Sequence, residues 1–341
     1  MTTVLESLNA GLHAAMETDA SVYVLGEDVL DPYGGAFKVT RGLSNAYPER
    51  VITTPVSEAG FVGVATGLAL SGLRPVVEVM FGDFVTLITD QVVNGLSKYG
   101  WMYGGSLDIP IVIRTPMGGR RGYGPTHSQT LEKLFLGVPG LRVLAPSAFL
   151  DPGALLKAAI DDPGPVLFVE NKLQYQRRLD DPMFSALAIQ HDRQEGYASA
   201  ATAGVAGAPR PQLTIAAYGD MAERAGEAQI KMAYELEIFS ELVVLEQLDP
   251  LGPGGDLPRP LQDSLRRTGC LLTVEEGTFT HGWGAEVLAR AVEASSQKLA
   301  VARVAALDSP VPASRALEAL VLPDIDSVVG AAQKLIAALD G

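Results

Sequence analysis

Cysteine is nearly absent from this 341-residue chain: Cys270 stands alone. That excludes an intrachain disulfide framework, an iron–sulfur cluster and a cysteine-based zinc site. Positive charge is also scarce. Lys and Arg number 26 against 40 Asp and Glu, a formal net charge of −14. A surface that acidic repels nucleic acid and anionic membranes and suits a basic protein partner. No apolar run reaches the length needed to span a bilayer. The opening residues Met1 to Glu6 carry neither a basic nor an apolar leader pattern, so a cytoplasmic location is expected. Histidines number four, and His191 and His281 lack metal-ligand spacing to the others. No Gly-x-x-x-x-Gly-Lys-Ser/Thr run exists, which argues against a nucleotide P-loop. The cluster Leu251 to Gly255 reads as a turn.

What the chain does have is alternation. Short β-branched runs (Ser21–Leu25, Pro75–Met80, Pro110–Arg114, Leu141–Leu144, Val166–Glu170) alternate with helical patterns near Val4–Glu17, Gly60–Leu70, Phe84–Lys98 and Pro152–Ile160. Nearly continuous apolar strands of this kind are buried on both faces, so the pattern predicts an α/β, doubly wound parallel sheet. Residues 191–212 hold a small-residue and proline-rich stretch without periodicity, the composition of a linker. The α/β rhythm then resumes, with strands near Leu213–Tyr218, Glu241–Glu246, Cys270–Glu275 and Val301–Ala305 and helices near Ala222–Tyr234, Gly284–Ala294 and Ile325–Leu339. The expected organisation is a first domain over 1–190, a linker over 191–212 and a smaller α/β domain over 213–341.

Three features of the first domain converge at strand ends, where open α/β sheets bind ligands. Thr54 to Gly60 sets Glu58 before an apolar, glycine-rich helix, a costly address for a carboxylate that is neither paired nor used. The helix dipole alone is the plainer reason for a glutamate there. Glu78 to Phe84 runs a strand into a turn bearing Phe81 and Phe84, which suit a heteroaromatic ring, although either one taken alone is more often core. Thr115 to Gln129 packs four glycines and two prolines around His127. A loop so irregular is usually functional, and its histidine is a candidate acid/base or a turn hydrogen-bonder. No Ser or Asp partner for a hydrolytic triad is evident.

Together these blocks resemble the beta subunits of thiamine diphosphate-dependent 2-oxoacid dehydrogenase E1 components, members of the transketolase superfamily. The similarity takes in Gly26-Glu27-Asp28-Val29, Gly34-Gly35-Ala36-Phe37, Thr54-Pro55 to Gly60, Asp90 to Asn94, His127-Ser128-Gln129 and Val138-Pro139-Gly140-Leu141. The resemblance implies a transketolase-like pyrimidine-binding domain followed by a transketolase C-terminal domain. It implies that Glu58 bonds N1′ of the cofactor's aminopyrimidine and so activates the thiazolium carbon. A carboxyl group in an apolar setting holds its proton to neutral pH, which that task requires. It places Phe84, with Phe81 beside it, along the pyrimidine. His127 matches the histidine assigned to reductive acylation of lipoyl groups. A structural potassium ion would sit on the backbone oxygens of Ile111, Ala159, Asp162 and Gly164.

The superfamily's Gly-Asp-Gly diphosphate–magnesium motif is missing, for Gly82-Asp83, Gly219-Asp220 and Gly255-Asp256 all lack the second glycine. The resemblance therefore implies a split site: an E1 alpha subunit holds the diphosphate and Mg2+ in an α2β2 heterotetramer, and this chain supplies the pyrimidine half. Acyl transfer to the lipoyl domain of an E2 acyltransferase would follow, with the acidic chain a natural dock for basic E2 subunit-binding domains. Two departures stand out: Met80 where branched-chain types often carry Gln, and a segment after Pro312 lacking the family's aromatic and histidine pattern. The rival expectations are an acetoin dehydrogenase beta subunit, a self-contained transketolase-like synthase, disfavoured by the missing motif, and a non-catalytic assembly subunit with the same fold.

Overall fold

The computed structural model of the protein describes residues 2–193, 199–249 and 256–339. Helix α1 (Val4–Thr18) starts at a capping box in which Thr3 and Glu6 satisfy each other's backbone N–H. Strand β1 (Val22–Gly26) follows, then α2 (Leu43–Ala46), β2 (Val51–Thr53), α3 (Glu58–Leu70), β3 (Arg74–Glu78), α4 (Ser97–Met102), β4 (Val112–Met117), β5 (Arg142–Leu144), α5 (Pro152–Asp161) and β6 (Val166–Asn171). The strands lie in the order β2-β1-β3-β4-β6-β5, and every neighbouring pair is parallel. One face packs on α1 and α5. The other packs on α3 and on apolar residues of the second sheet, including Ala216, Leu245 and Leu271.

The helix expected over Phe84–Lys98 is broken into a 3₁₀ segment (Gly82–Ile88), a π segment (Gln91–Leu96) and α4. Hydroxyl back-bonding accompanies the departure. Thr86, Thr89 and Ser97 each donate back to a carbonyl three or four residues earlier, which competes with regular helix bonding. Such segments recur at functional sites, and this one carries Phe84.

The second sheet runs β12-β11-β9-β10-β8-β7. Its elements are β7 (Leu187–Arg193), β8 (Ser199–Val205), β9 (Leu213–Ala217), α6 (Gly219–Leu236), β10 (Ser240–Leu245), α7 (Arg259–Thr268), β11 (Cys270–Thr278), α8 (Trp283–Ala294), β12 (Ala300–Ala306), α9 (Arg315–Val321) and α10 (Ile325–Ala337). The linker expectation over 191–212 is corrected here. Residues within it form β8 and the end of β7, an antiparallel pair that extends the second sheet through β8–β10 pairing. The small residues misread as linker are packing residues. Ala200, Ala201 and Ala203 are buried, and Gln229 of α6 donates 3.0 Å to the Ala203 carbonyl. Small side chains let the helix approach the backbone closely. Leu251–Gly255, expected as a turn, lies outside the described residues.

The two sheets are joined at their margins. Gln247 bridges Leu144 in antiparallel fashion, and the Asp249 carboxylate accepts from the Val143 N–H at 2.9 Å. Within α6, Glu223 accepts from the Ala148 N–H and from Gln174. Burial pushes this carboxyl group up to about 8, with nearby Asp220 adding to the rise.

Candidate active site

The carboxyl edge of the first sheet gathers the chemistry. Glu27 directly follows β1, Glu58 opens α3 beyond β2, Phe81 and Phe84 follow β3, the His127 loop follows β4, and Lys172 follows β6. Strand order reverses between β1 and β3, because the chain runs outward to β2 and then returns. Ligands of doubly wound sheets sit at such a switch point.

Glu58 is 6% exposed in the first turn of α3, where the helix dipole favours a carboxylate. Glu27 is also buried, and one of its oxygens, Oε1, has no hydrogen-bond partner among the described residues. Burial raises the Glu27 carboxyl above its ordinary range, and the charge of Glu58 raises it further. Two buried carboxyl groups close enough to interact, one with an open acceptor, make this edge a candidate binding site. Sequence reasoning missed Glu27 as a site residue. The available signal was an acid directly at the end of an apolar strand.

The aromatic groups pack as a wall. Phe81 and Phe84 lie edge to face, 5.8 Å between centroids, and His127 stands edge-on to both at 4.8 and 5.3 Å. Phe37 closes the far side 5.8 Å from Phe81. Its loop is held by Glu78, which accepts from the Ala36 N–H. Gly35, at φ +79°, is required there, because a Cβ would fall 2.6 Å from the Glu78 carboxylate. Glu78 in turn pairs with Arg114 at 2.9 Å, and Arg114 forks onto Glu170 through Nε at 2.7 Å and Nη2 at 2.8 Å. All three are buried. Burial disfavours the Arg114 charge, yet Glu170 and Glu78 hold it above its ordinary range.

The expected His127 loop is present and tightly tethered. The Thr126 hydroxyl lies 3.0 Å from His127 Nδ1, and Asp83 takes the Gln129 side-chain amide at 2.8 Å. Lys172, unremarked in the sequence, is fully buried and donates 2.7 Å to the His127 carbonyl. Its ammonium lies 5.2 Å from the Phe81 centroid, and burial pulls it down to about 8, with Asp83 opposing.

Around the residues expected to hold potassium, Ile111, Ala159, Asp162 and Gly164, cationic side chains and N–H donors bond some of the same groups. Arg74 Nη1 donates to the carbonyls of Ile160 at 2.8 Å and Asp162 at 3.2 Å. The Ile111 carbonyl accepts from Val166 N–H at 2.9 Å, and Arg142 pairs with the Asp162 carboxylate at 2.8 Å. Among the described residues no cluster of His, Cys, Asp and Glu suits a metal ion, and no helix is long and apolar enough to cross a membrane.

The fold and the edge define a transketolase-type pyrimidine-binding protein. Residues 2–178 match the transketolase pyrimidine-binding domain and residues 204–328 the transketolase C-terminal domain. A solved structure described as a split-gene transketolase, inactive beta4 tetramer, shares the fold across 99% of both chains, with a TM-score of 0.73 at 21% identity. Sequence relatives are more specific. The mitochondrial pyruvate dehydrogenase E1 component subunit beta-1 of Arabidopsis thaliana is 38% identical, covering 97% of this chain and 88% of that one. The pyruvate dehydrogenase E1 component subunit beta of Rhizobium meliloti is 35% identical over 96% of this chain and 68% of its own length. The chain belongs to the family of thiamine diphosphate-dependent 2-oxoacid dehydrogenase E1 beta subunits.

Thiamine diphosphate fits the residues present: the orphaned Glu27 oxygen and buried Glu58 suit a ring nitrogen and its proton, and Phe81 and Phe84 suit the flanks of an aromatic ring.

Proposed function

We propose that this chain is the pyrimidine half of an α2β2 E1 enzyme that decarboxylates pyruvate and passes the acyl group to the lipoyl group of an E2 acyltransferase. The observation that carries the reading is the buried Glu27–Glu58 pair with its unpartnered oxygen. The curated relatives named above act in pyruvate dehydrogenase, which favours pyruvate over a branched-chain acid. Thiamine diphosphate supplies the nucleophilic carbon and the electron sink. Glu58 holds the proton at the pyrimidine nitrogen, Phe84 and Phe81 orient the ring, and His127 donates a proton during acyl transfer to lipoyl sulfur.

Dependence on an alpha subunit is supported by two features. The diphosphate motif is absent from the sequence. Helix α3 is also apolar on all sides, as a buried helix is, yet Gly63 and Gly67 are exposed with open space where a Cβ would stand, and Val64 is 59% exposed. Val56 at 81% and Leu87 at 55% exposure lie on the neighbouring segments. A second subunit would cover such a face.

Calorimetric titration of thiamine diphosphate with Mg2+ tests the split site. The expected result is no binding to this chain alone and tight binding once a candidate alpha subunit is added. Tight binding to the isolated chain would overturn the reading.

A further inference from the structure

The place of the segment after Pro312 in the fold gives it a task. The His127 loop closes at its neck, where the Gly118 N–H meets the Gln129 carbonyl at 3.3 Å. Its inner side is pinned to the first domain by Lys172 and Asp83. Its outer limb belongs to the second domain. The Gly119 N–H donates to Glu276 Oε1 at 2.7 Å, and the Arg120 N–H donates to Glu318 Oε1 at 2.6 Å. The Arg120 guanidinium stands 3.5 Å from Glu276 Oε2 and donates to the Pro323 carbonyl. Space is as tight as the bonding: a Cβ on Gly119 would meet Leu322 Cδ1 at 2.4 Å.

Both carboxylates are nearly inaccessible, at 5% for Glu276 and 2% for Glu318. Arg120 itself sits at φ +64°, a conformation that a non-glycine residue holds only when its surroundings enforce it. Charged acceptors on consecutive backbone N–H groups are the strong form of that enforcement.

We infer that Glu276 and Glu318 are positioning residues for His127: the second domain fixes the conformation of the first domain's loop. The inference rests on the role proposed above for His127 in acyl transfer. Its consequence is selective. Glu27 and Glu58 stand at the end of β1 and the start of α3 and share no hydrogen bond with these two carboxylates, so loss of the carboxylates slows transfer to the lipoyl group far more than decarboxylation.

The first measurement is hydrogen–deuterium exchange of the full chain, read on peptides spanning Met117–Gln129. Glu276→Ala and Glu318→Ala should each speed exchange there by about tenfold or more, with α3 peptides unchanged. The second uses enzyme reconstituted with an alpha subunit. Reductive acylation of a lipoyl domain should fall about a hundredfold, while decarboxylation read with ferricyanide stays within about twofold. Glu276→Gln keeps an acceptor for the Gly119 N–H and should retain most of the transfer rate. An unchanged loop exchange overturns the inference, as does a loop that opens without slowing transfer, or a parallel loss of both half-reactions. Wild-type enzyme inert toward every 2-oxoacid would instead overturn the E1 reading, and the exchange data would still decide whether the carboxylates hold the loop.

Discussion

The two sheets of this protein place carboxylates at the carboxyl ends of their strands and bond them differently. In the first sheet, Glu27 and Glu58 are buried with an acceptor left open beside an aromatic wall. In the second, the acids of β11 bond to backbone N–H groups of the chain itself, although one oxygen of Glu276 lacks a hydrogen bond among the described residues, just as one oxygen of Glu27 does. Glu275 caps α8 by accepting from the N–H groups of Trp283 and Gly284, both at 2.8 Å, and Glu276 takes the Gly119 N–H. Glu132, from the first domain, accepts the Tyr218 hydroxyl at 2.6 Å in the same region. Two α/β sheets thus set acids at strand ends in different bonding, which is why function is argued from sites and never from fold alone.

That contrast can be broken most directly at Glu58. Replacement by Gln should cost about 10³-fold or more in 2-oxoacid decarboxylation without shifting the melting temperature; unchanged turnover in the reconstituted enzyme would remove the ligand role from this edge. Next in size is the support beneath it. Arg114→Met strands Glu78 and Glu170 without their cation, and breaking a buried pair in this way costs about 3–5 kcal/mol. Chemical denaturation would register it, and a loss below about 1 kcal/mol would mean that the network is dispensable. His127→Asn should slow lipoyl acylation about a hundredfold. Single-turnover transfer to a lipoyl domain is the assay, and a wild-type rate would exclude the histidine from that step.

The smallest effect concerns the edge of the second sheet. Burial raises Glu275 to about 8, with Glu132 adding to the rise and the Gly284 and Trp283 N–H bonds opposing it. The folded state therefore binds more protons than the unfolded state between about 4.5 and 8. Stability from this group is complete below that window and is lost as pH rises through it. Glu275→Gln turns a donor toward one of the two N–H groups and should melt below wild type at acidic pH, with the gap narrowing above pH 8; parallel pH profiles would show that Glu275 does not titrate there.

Much of this was readable beforehand. Strands β1, β3 to β6 and β9 to β12 announced themselves as apolar runs, and Glu58, Phe81, Phe84 and His127 stood out by motif. The failures share a cause. Residues 199–205 read as linker because Ala, Thr and Gly carry no periodic hydrophobic signal, although their small size is what α6 packing demands. Phe84–Lys98 read as one helix because its apolar residues keep a helical spacing whether the backbone bonds in α, 3₁₀ or π fashion. Carbonyl ligands leave no signal in the sequence, since any residue supplies a carbonyl.

By itself the sequence determined the parallel α/β class, the resemblance to E1 beta subunits, the lack of a diphosphate motif and the placing of Glu58 at a helix start. These are local, because periodicity and short motifs act within a few residues. Tertiary structure decided the rest: the coupling of Glu27 to Glu58, the burial of Lys172 under the His127 loop and the grip of Glu276 and Glu318 on that loop. Each joins residues from separate elements, and the desolvation that gives buried charges their force exists only once the chain has closed around them.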